Sequence, residues 1–237
     1  MLTCAIVFLI AFSVYSLDKI ADLDKDIINM PQRRSFLYGR KRLVLSSSLA
    51  AYGLAALLTL ASTPTALPIV LTPIIANAFY GTKLLPGVPR LKDIPVMKNL
   101  VVASTWALIT TLLPAMSAGC LEPFKIAIVG YFIFVKTFVD TALYDMRDVE
   151  GDRQNGVRTI PVILGTGRTT ALLMAVNSTL LFIPAFMQGE VKLFTVILIV
   201  YGYAYILYFM KSRDPLVLDF LVEGEWMLAT FLILLYF

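Results

Sequence analysis

YDMRDVEGDRQNGVRTIPVILG, residues 144–165, follows directly on the apolar run FKIAIVGYFIFVKTFVDTAL, residues 124–143, and this junction decides how the chain is read. Twenty mostly apolar residues match one helical crossing of a bilayer core. The polar stretch then places Asp145, Asp148 and Asp152 at i, i+3 and i+7, one helix face if the helix continues. A second junction echoes it. After the apolar start, YSLDKIADLDKDIIN (residues 15–29) puts Asp18, Asp22 and Asp26 four residues apart, with Asp24 off that face. Asp22 to Asp148 and Asp26 to Asp152 are both 126 residues apart, and a tyrosine, Tyr15 or Tyr144, precedes each cluster. The chain reads as two related halves bringing their aspartates to one cavity.

Working outward, the 237 residues are 59% hydrophobic and only 15% charged. Soluble domains run at about a quarter charged residues, so lipid must supply much of this chain's solvent. Further candidate spans lie at 1–17, 43–62, 66–80, 100–118, 171–187, 193–210 and 216–237, about eight in all. The expected fold is therefore all-α, a multi-span transmembrane helical bundle forming a single domain over 1–237. The third span is short, and the last carries Asp219, Glu223 and Glu225, which must face a cavity or the headgroups. Residues 1–17 lack the basic start and small-residue cleavage site of a signal peptide and read as a true span. Cys4 and Cys120 have no metal-binding spacing; a disulfide between them stays open.

Charge supports the span count. With alternating crossings, segments 18–42, 81–99, 144–170 and 211–215 share one side and hold 17 of the 20 basic residues. Positive-inside bias puts them in the cytoplasm of a multi-pass cell-membrane protein, with both termini outside. A net charge of +4 is too small an excess to imply a nucleic-acid partner, and nothing implies a protein partner. The absence of histidine removes the commonest general base and the usual catalytic zinc sites. Chemistry here must run on Asp, Glu, Lys, Arg, Tyr or a bound cofactor.

An isolated DxxxD on a helix is most often a solvated face. Two matched clusters at membrane junctions, embedded in basic loops, are a different signal. Aligned carboxylates need a counter-charge, and Mg2+ takes one or two carboxylates while sharing its remaining shell with water and phosphate. Asp18, Asp22, Asp26, Asp145, Asp148 and Asp152 are the candidate metal ligands, with Asp22, Asp26, Asp148 and Asp152 as the catalytic core. Arg33, Lys92, Lys98, Arg153 and Arg158, with Arg34 and Arg147 nearby, are candidates to neutralise the phosphate charge. A diphosphate site at the rim of a lipid-embedded protein points to a diphosphate with a long apolar tail, a polyprenyl diphosphate.

These residues resemble the UbiA-type superfamily of intramembrane prenyltransferases. Asp18, Asp22 and Asp26 match its NxxxDxxxD motif with Asp for the leading Asn, and Asp148 and Asp152 match its DxxxD. DMRDVEGDRQNGVRTIPVILG is similar to the DxxDxxGDxxxGxxTxPxxxG form of two branches of the family, extended by Gly156, Arg158, Thr159 and Pro161. RLKDIPVMKN, with Lys98 and Asn99, resembles a family loop that carries lysine and asparagine. The resemblance implies nine helices with the motifs after the second and sixth. Here they follow the first and fifth, so the family's first helix is expected to be absent.

The resemblance also implies the reaction: Mg2+-assisted loss of diphosphate, then capture of the allylic cation by a lipophilic, membrane-associated acceptor. Tyr15, Tyr80, Tyr131 and Tyr144 are candidates to line the cation through their ring faces, and Asn77 and Asn99 to contact substrate. Lys136, inside a span, is expected to pair with Asp140. The competing reading is a cation transporter using the aspartates as an ion path. Their place at the span ends among Lys and Arg favours a bound anion instead.

Overall fold

The computed structural model describes residues 1–21, 23, 31–81, 94–210 and 214–236, without the side chains of 31–34, 77–81, 215 and 233–236. Eleven α-helices are described: α1 (Leu2–Ala21), α2 (Pro31–Tyr38), α3 (Lys41–Ser62), α4 (Leu67–Gly81), α5 (Met97–Ser117), α6 (Pro123–Arg147), α7 (Val149–Gln154), α8 (Ile160–Leu164), α9 (Thr166–Ser178), α10 (Gly189–Phe209) and α11 (Pro215–Tyr236). A 3-10 turn, Pro64–Ala66, leads into α4, and a second 3-10 segment, Thr179–Phe186, extends α9 past Pro184. No strand occurs among the described residues. The architecture is the all-α one expected.

Among the described residues, six helical segments are long and apolar enough to cross a membrane: α1, α3, α5, α6, α9 with its 3-10 extension, and α10. The protein is an integral membrane protein. The two spans that sequence marks as weakest form as helices too. α4 is short and contains Pro73, and α11 runs 22 residues with its three acids in the first half. Prolines at the first position start α2, α6 and α11, where a missing N–H costs nothing. Gly165 ends α8 at φ +77°, a conformation open to glycine, and lets α9 begin one residue later.

The residues group in two compact units. In the first, residues 1–92 and 104–130, α1 lies along α3. Ile6, Ile10 and Ser13 of α1 are buried at i, i+4 and i+7. α3 buries mostly small groups, Ser48, Ala51, Ala55 and Thr59, together with Tyr52. Helices in lipid gain most from such close backbone approach, because the tails outside are as apolar as leucine. Cys4 and Cys120 are exposed free thiols, which closes the disulfide question in this structure.

The second unit comprises residues 93–103 and 131–237. Its core joins Ala103 of α5, Phe138, Val139, Ala142 and Leu143 of α6, Leu173 of α9, Tyr205, Ile206 and Phe209 of α10, and Leu218 and Val222 of α11. Within it lies a buried polar cluster. Lys136, fully buried, pairs with Glu225 of α11 and donates to the Leu198 carbonyl at 2.9 Å. Tyr205 lies between two carboxylates, 3.2 Å from Asp140 Oδ1 and 3.1 Å from Glu225 Oε2. The direct partner of Lys136 is thus Glu225, and Asp140 is engaged by Tyr205. Hydropathy cannot show this, since the partner lies 89 residues away along the chain.

Candidate active site

The second motif sits where α6 leaves its span. α6 continues through Asp145 to Arg147, four residues past the apolar stretch, because the backbone keeps its helical bonds as the side chains turn polar. Asp148 has φ −94° and ψ 8° between α6 and α7. Its N–H still donates to the Tyr144 carbonyl at 3.1 Å, and Asp152 N–H to the Asp148 carbonyl at 2.9 Å. The helical pitch therefore carries across the bend, and Asp145, Asp148 and Asp152 keep the spacing the sequence predicts.

Asp145 is buried with both oxygens in use. Lys98 Nζ lies 2.9 Å from Oδ1, and Asn99 Nδ2 donates to Oδ2 at 2.9 Å. Asn99 Nδ2 also lies 3.2 Å from Thr141 Oγ1, one turn earlier on α6. The lysine and asparagine singled out in the sequence thus meet the motif directly through Asp145. The backbone just before them is unusual: Val96 has φ +73°. That conformation is strained for a β-branched residue and sets the entry of α5.

Asp148 is gripped by its neighbour. Arg147 Nε and an Nη each donate at 2.8 Å, one to each carboxylate oxygen. The remaining Nη reaches Asp219 Oδ1 on α11 at 3.4 Å. The guanidinium also lies 5.0 Å over the Tyr144 ring, and the Tyr144 hydroxyl donates to Glu223 Oε1 at 3.1 Å. One face of the ring expected to meet a substrate cation thus lies against Arg147. Asp219 and Glu223, which make α11 a poor span on composition, are here the partners of α6.

Among the described residues, Asp152 has no comparable cation on it. Burial foremost, and then the charge of Asp145, push its carboxyl up to about 6; Asp148 adds to the rise, while Lys98 and nearby Thr159 offset part of it. The Thr159 hydroxyl is buried without a hydrogen bond of ordinary geometry among the described residues. A buried carboxyl with its charge only partly offset, next to a buried hydroxyl, is an all-oxygen donor set that suits a hard cation. Among the described residues no three His, Cys, Asp or Glu side chains converge to hold a metal by themselves.

The other predicted residues divide. Arg153 and Arg158 are exposed, Arg153 3.9 Å from Glu150. Tyr131 bonds Thr179 Oγ1 at 2.7 Å, and the helical rise puts it about 21 Å along α6 from Asp145. In the first unit, Asp18 lies within α1, so that helix does run into the first cluster. Tyr15, one turn earlier, stacks on Trp106 with centroids 5.4 Å apart. Asp22, Asp26 and Lys92 lie outside the described residues, as do the side chains of Arg33, Asn77 and Tyr80.

Comparison with known proteins places this arrangement. A digeranylgeranylglyceryl phosphate synthase of Thermococcus gammatolerans is 33% identical over 150 residues, 61% of this chain and 49% of that protein. The Pyrococcus furiosus enzyme of the same name is 30% identical over 105 residues, 43% of this chain and 35% of that protein. The matches therefore span between a third and a half of these relatives' length. In structure, a UbiA homolog from Archaeoglobus fulgidus bound to GPP and Mg2+ superposes with TM-score 0.70 at 17% identity, covering 98% of this chain and 84% of that one. A UbiA homolog from the same organism bound to DMAPP and Mg2+ gives 0.66, also at 17% identity, over 98% and 85%. These two are likenesses of fold. The family model of the UbiA prenyltransferases matches residues 1–218, well over half the sequence, and the chain belongs to that family.

Proposed function

We propose that this protein is a Mg2+-dependent transferase that moves a polyprenyl group from its diphosphate to a lipophilic acceptor in the membrane. The observation that carries the reading is the motif itself: Lys98 and Asn99 locked onto Asp145, beside Asp152, whose charge is only partly offset. Asp148 and Asp152 would hold the cation together with Asp22 and Asp26, which enter on sequence grounds. When bound, Mg2+ supplies positive charge that makes the diphosphate a better leaving group.

The chain's own groups do the rest. Asp145, itself held by Asn99, fixes Lys98, whose positive charge acts on Asp152 and suits phosphate oxygens. Arg158, with Arg33 and Lys92 entering on sequence grounds, would add basic charge in the loops that positive-inside bias assigns to the cytoplasm. The lipid-embedded helices exclude water from the polyprenyl end, so that acceptor rather than solvent captures it. On the names of the relatives, the favoured acceptor is a prenylated glyceryl phosphate lipid.

The test uses the purified protein in lipid nanodiscs with labelled geranylgeranyl diphosphate, Mg2+ and a lipid extract. The expected product is a lipid heavier by one geranylgeranyl group, absent when Mg2+ is chelated. Movement of metal ions across a reconstituted bilayer with no lipid product would overturn the reading in favour of transport.

A further inference from the structure

Arg147 raises a conflict that the proposed chemistry must resolve. Its Nε and one Nη occupy both oxygens of Asp148 at 2.8 Å. A divalent cation binding Asp148 needs one of those oxygens and would meet a guanidinium of the same sign at close range. The arginine side chain is only 11% exposed, so expelling it to water would uncover its packing, and leaving it buried without a partner is costly. The structure holds a third option. The remaining Nη already lies 3.4 Å from Asp219 Oδ1, and that carboxylate is more exposed than Asp148 and is claimed less tightly.

We propose that Arg147 is a transferable counter-ion of the motif: it neutralises Asp148 while the metal site is empty and passes to Asp219 when a divalent cation and diphosphate take Asp148. The inference rests on the metal–diphosphate reading above and deepens it. α11 is built for the exchange. Asp219 and Glu223 are four residues apart, one face of a helix, and they meet Arg147 and Tyr144, three apart on α6. The Tyr144 ring lies 5.0 Å under the guanidinium, and Glu223 fixes that ring through its hydroxyl. Tyr144 thus provides a flat, anchored surface on which the guanidinium turns from one carboxylate to the other without leaving contact. Arg suits this and Lys does not, since only a guanidinium has donors along two edges at once. Asp219 is a positioning residue in this scheme: it touches neither cation nor substrate, and acts by giving Arg147 somewhere to go.

The experiment is Mn2+ binding, followed by electron paramagnetic resonance of the free ion, to the full chain in phosphatidylcholine nanodiscs with inorganic pyrophosphate. Arg147→Gln removes the competitor and should tighten Mn2+ binding about fivefold; Asp219→Asn removes the acceptor of the arginine and should weaken it about fivefold. The Arg147→Gln, Asp219→Asn double variant should bind as Arg147→Gln alone, because Asp219 has no role once the arginine is gone. Asp219→Glu should restore wild-type affinity. If Arg147→Gln does not fold, Arg147→Met, which keeps an apolar stem for packing and removes the charge, should tighten binding. An Asp219→Asn effect that persists at full size in the Arg147→Gln background is a through-space charge effect and overturns the transfer. So does unchanged affinity in folded Arg147→Gln or Arg147→Met. Absence of saturable Mn2+ binding by the wild type overturns the metal-site reading underneath.

Discussion

Asp152 concentrates the chemistry of the site in one carboxyl. Its spacing from Asp148 is plain in the sequence, but its environment is not: burial, Asp145 and Asp148 together hold it up to about 6. The carboxyl keeps its proton up to about pH 6, so this group costs stability as pH rises from about 4 through about 6. A cation reverses the preference and must displace the proton below that range. The apparent affinity for Mg2+, measured by calorimetry with inorganic pyrophosphate, should therefore be flat above about pH 7 and fall as pH drops through about 6. Asp152→Asn should remove the pH step along with most of the affinity.

Gly202 shows the opposite case, a residue with no signal in the sequence. A Cβ there would stand 2.7 Å from Lys136 Nζ and 2.8 Å from Asn177 Oδ1, in the middle of α10. Gly202→Ala should cost about 1–3 kcal/mol by forcing the buried lysine aside. The thermal transition in detergent reads this, with Gly53→Ala as the control, since nothing lies within 4 Å of a Cβ at that site.

Among the elements, α6 and α11 carry most of what sequence reading left open. The span at 124–143 is legible from its apolar run alone, but the helix extends to Arg147 because hydrogen bonding, unlike hydropathy, does not stop at the polar boundary. α11 looks doubtful on composition and forms because each acid has a partner: Asp219 with Arg147, Glu223 with Tyr144, Glu225 with Lys136. Those pairings join residues 72 to 89 positions apart, beyond the reach of any local pattern. Lys136→Met strands Asp140 and Glu225 in the core and should destabilise the protein by about 3–5 kcal/mol. Adding Glu225→Gln should recover a substantial part of that loss, as read by denaturant unfolding in mixed micelles.

For the molecule as a whole, composition and loop charge point to the membrane and to one basic face before any motif is considered. The free, exposed thiols Cys4 and Cys120 make the orientation testable without engineering. Loop charge assigns both to the side opposite the basic loops. A membrane-impermeant maleimide applied outside intact cells should label both, and labelling of neither until the cells are opened would reverse the assignment. The first aspartate cluster is legible only as a pattern, since Asp22 and Asp26 lie outside the described residues. The second is tied to its lysine, asparagine and arginine partners by distances.

The central claim is that two aspartate clusters serve one metal-assisted loss of diphosphate. It is tested most directly by the rate of prenyl transfer from labelled geranylgeranyl diphosphate to lipid in nanodiscs, for wild type and for Asp22→Asn, Asp26→Asn, Asp148→Asn and Asp152→Asn. Each variant should stay folded and membrane-inserted while transfer falls about a thousandfold, the loss expected when charge stabilisation of the leaving group is removed. Near-wild-type rates in all four would contradict it.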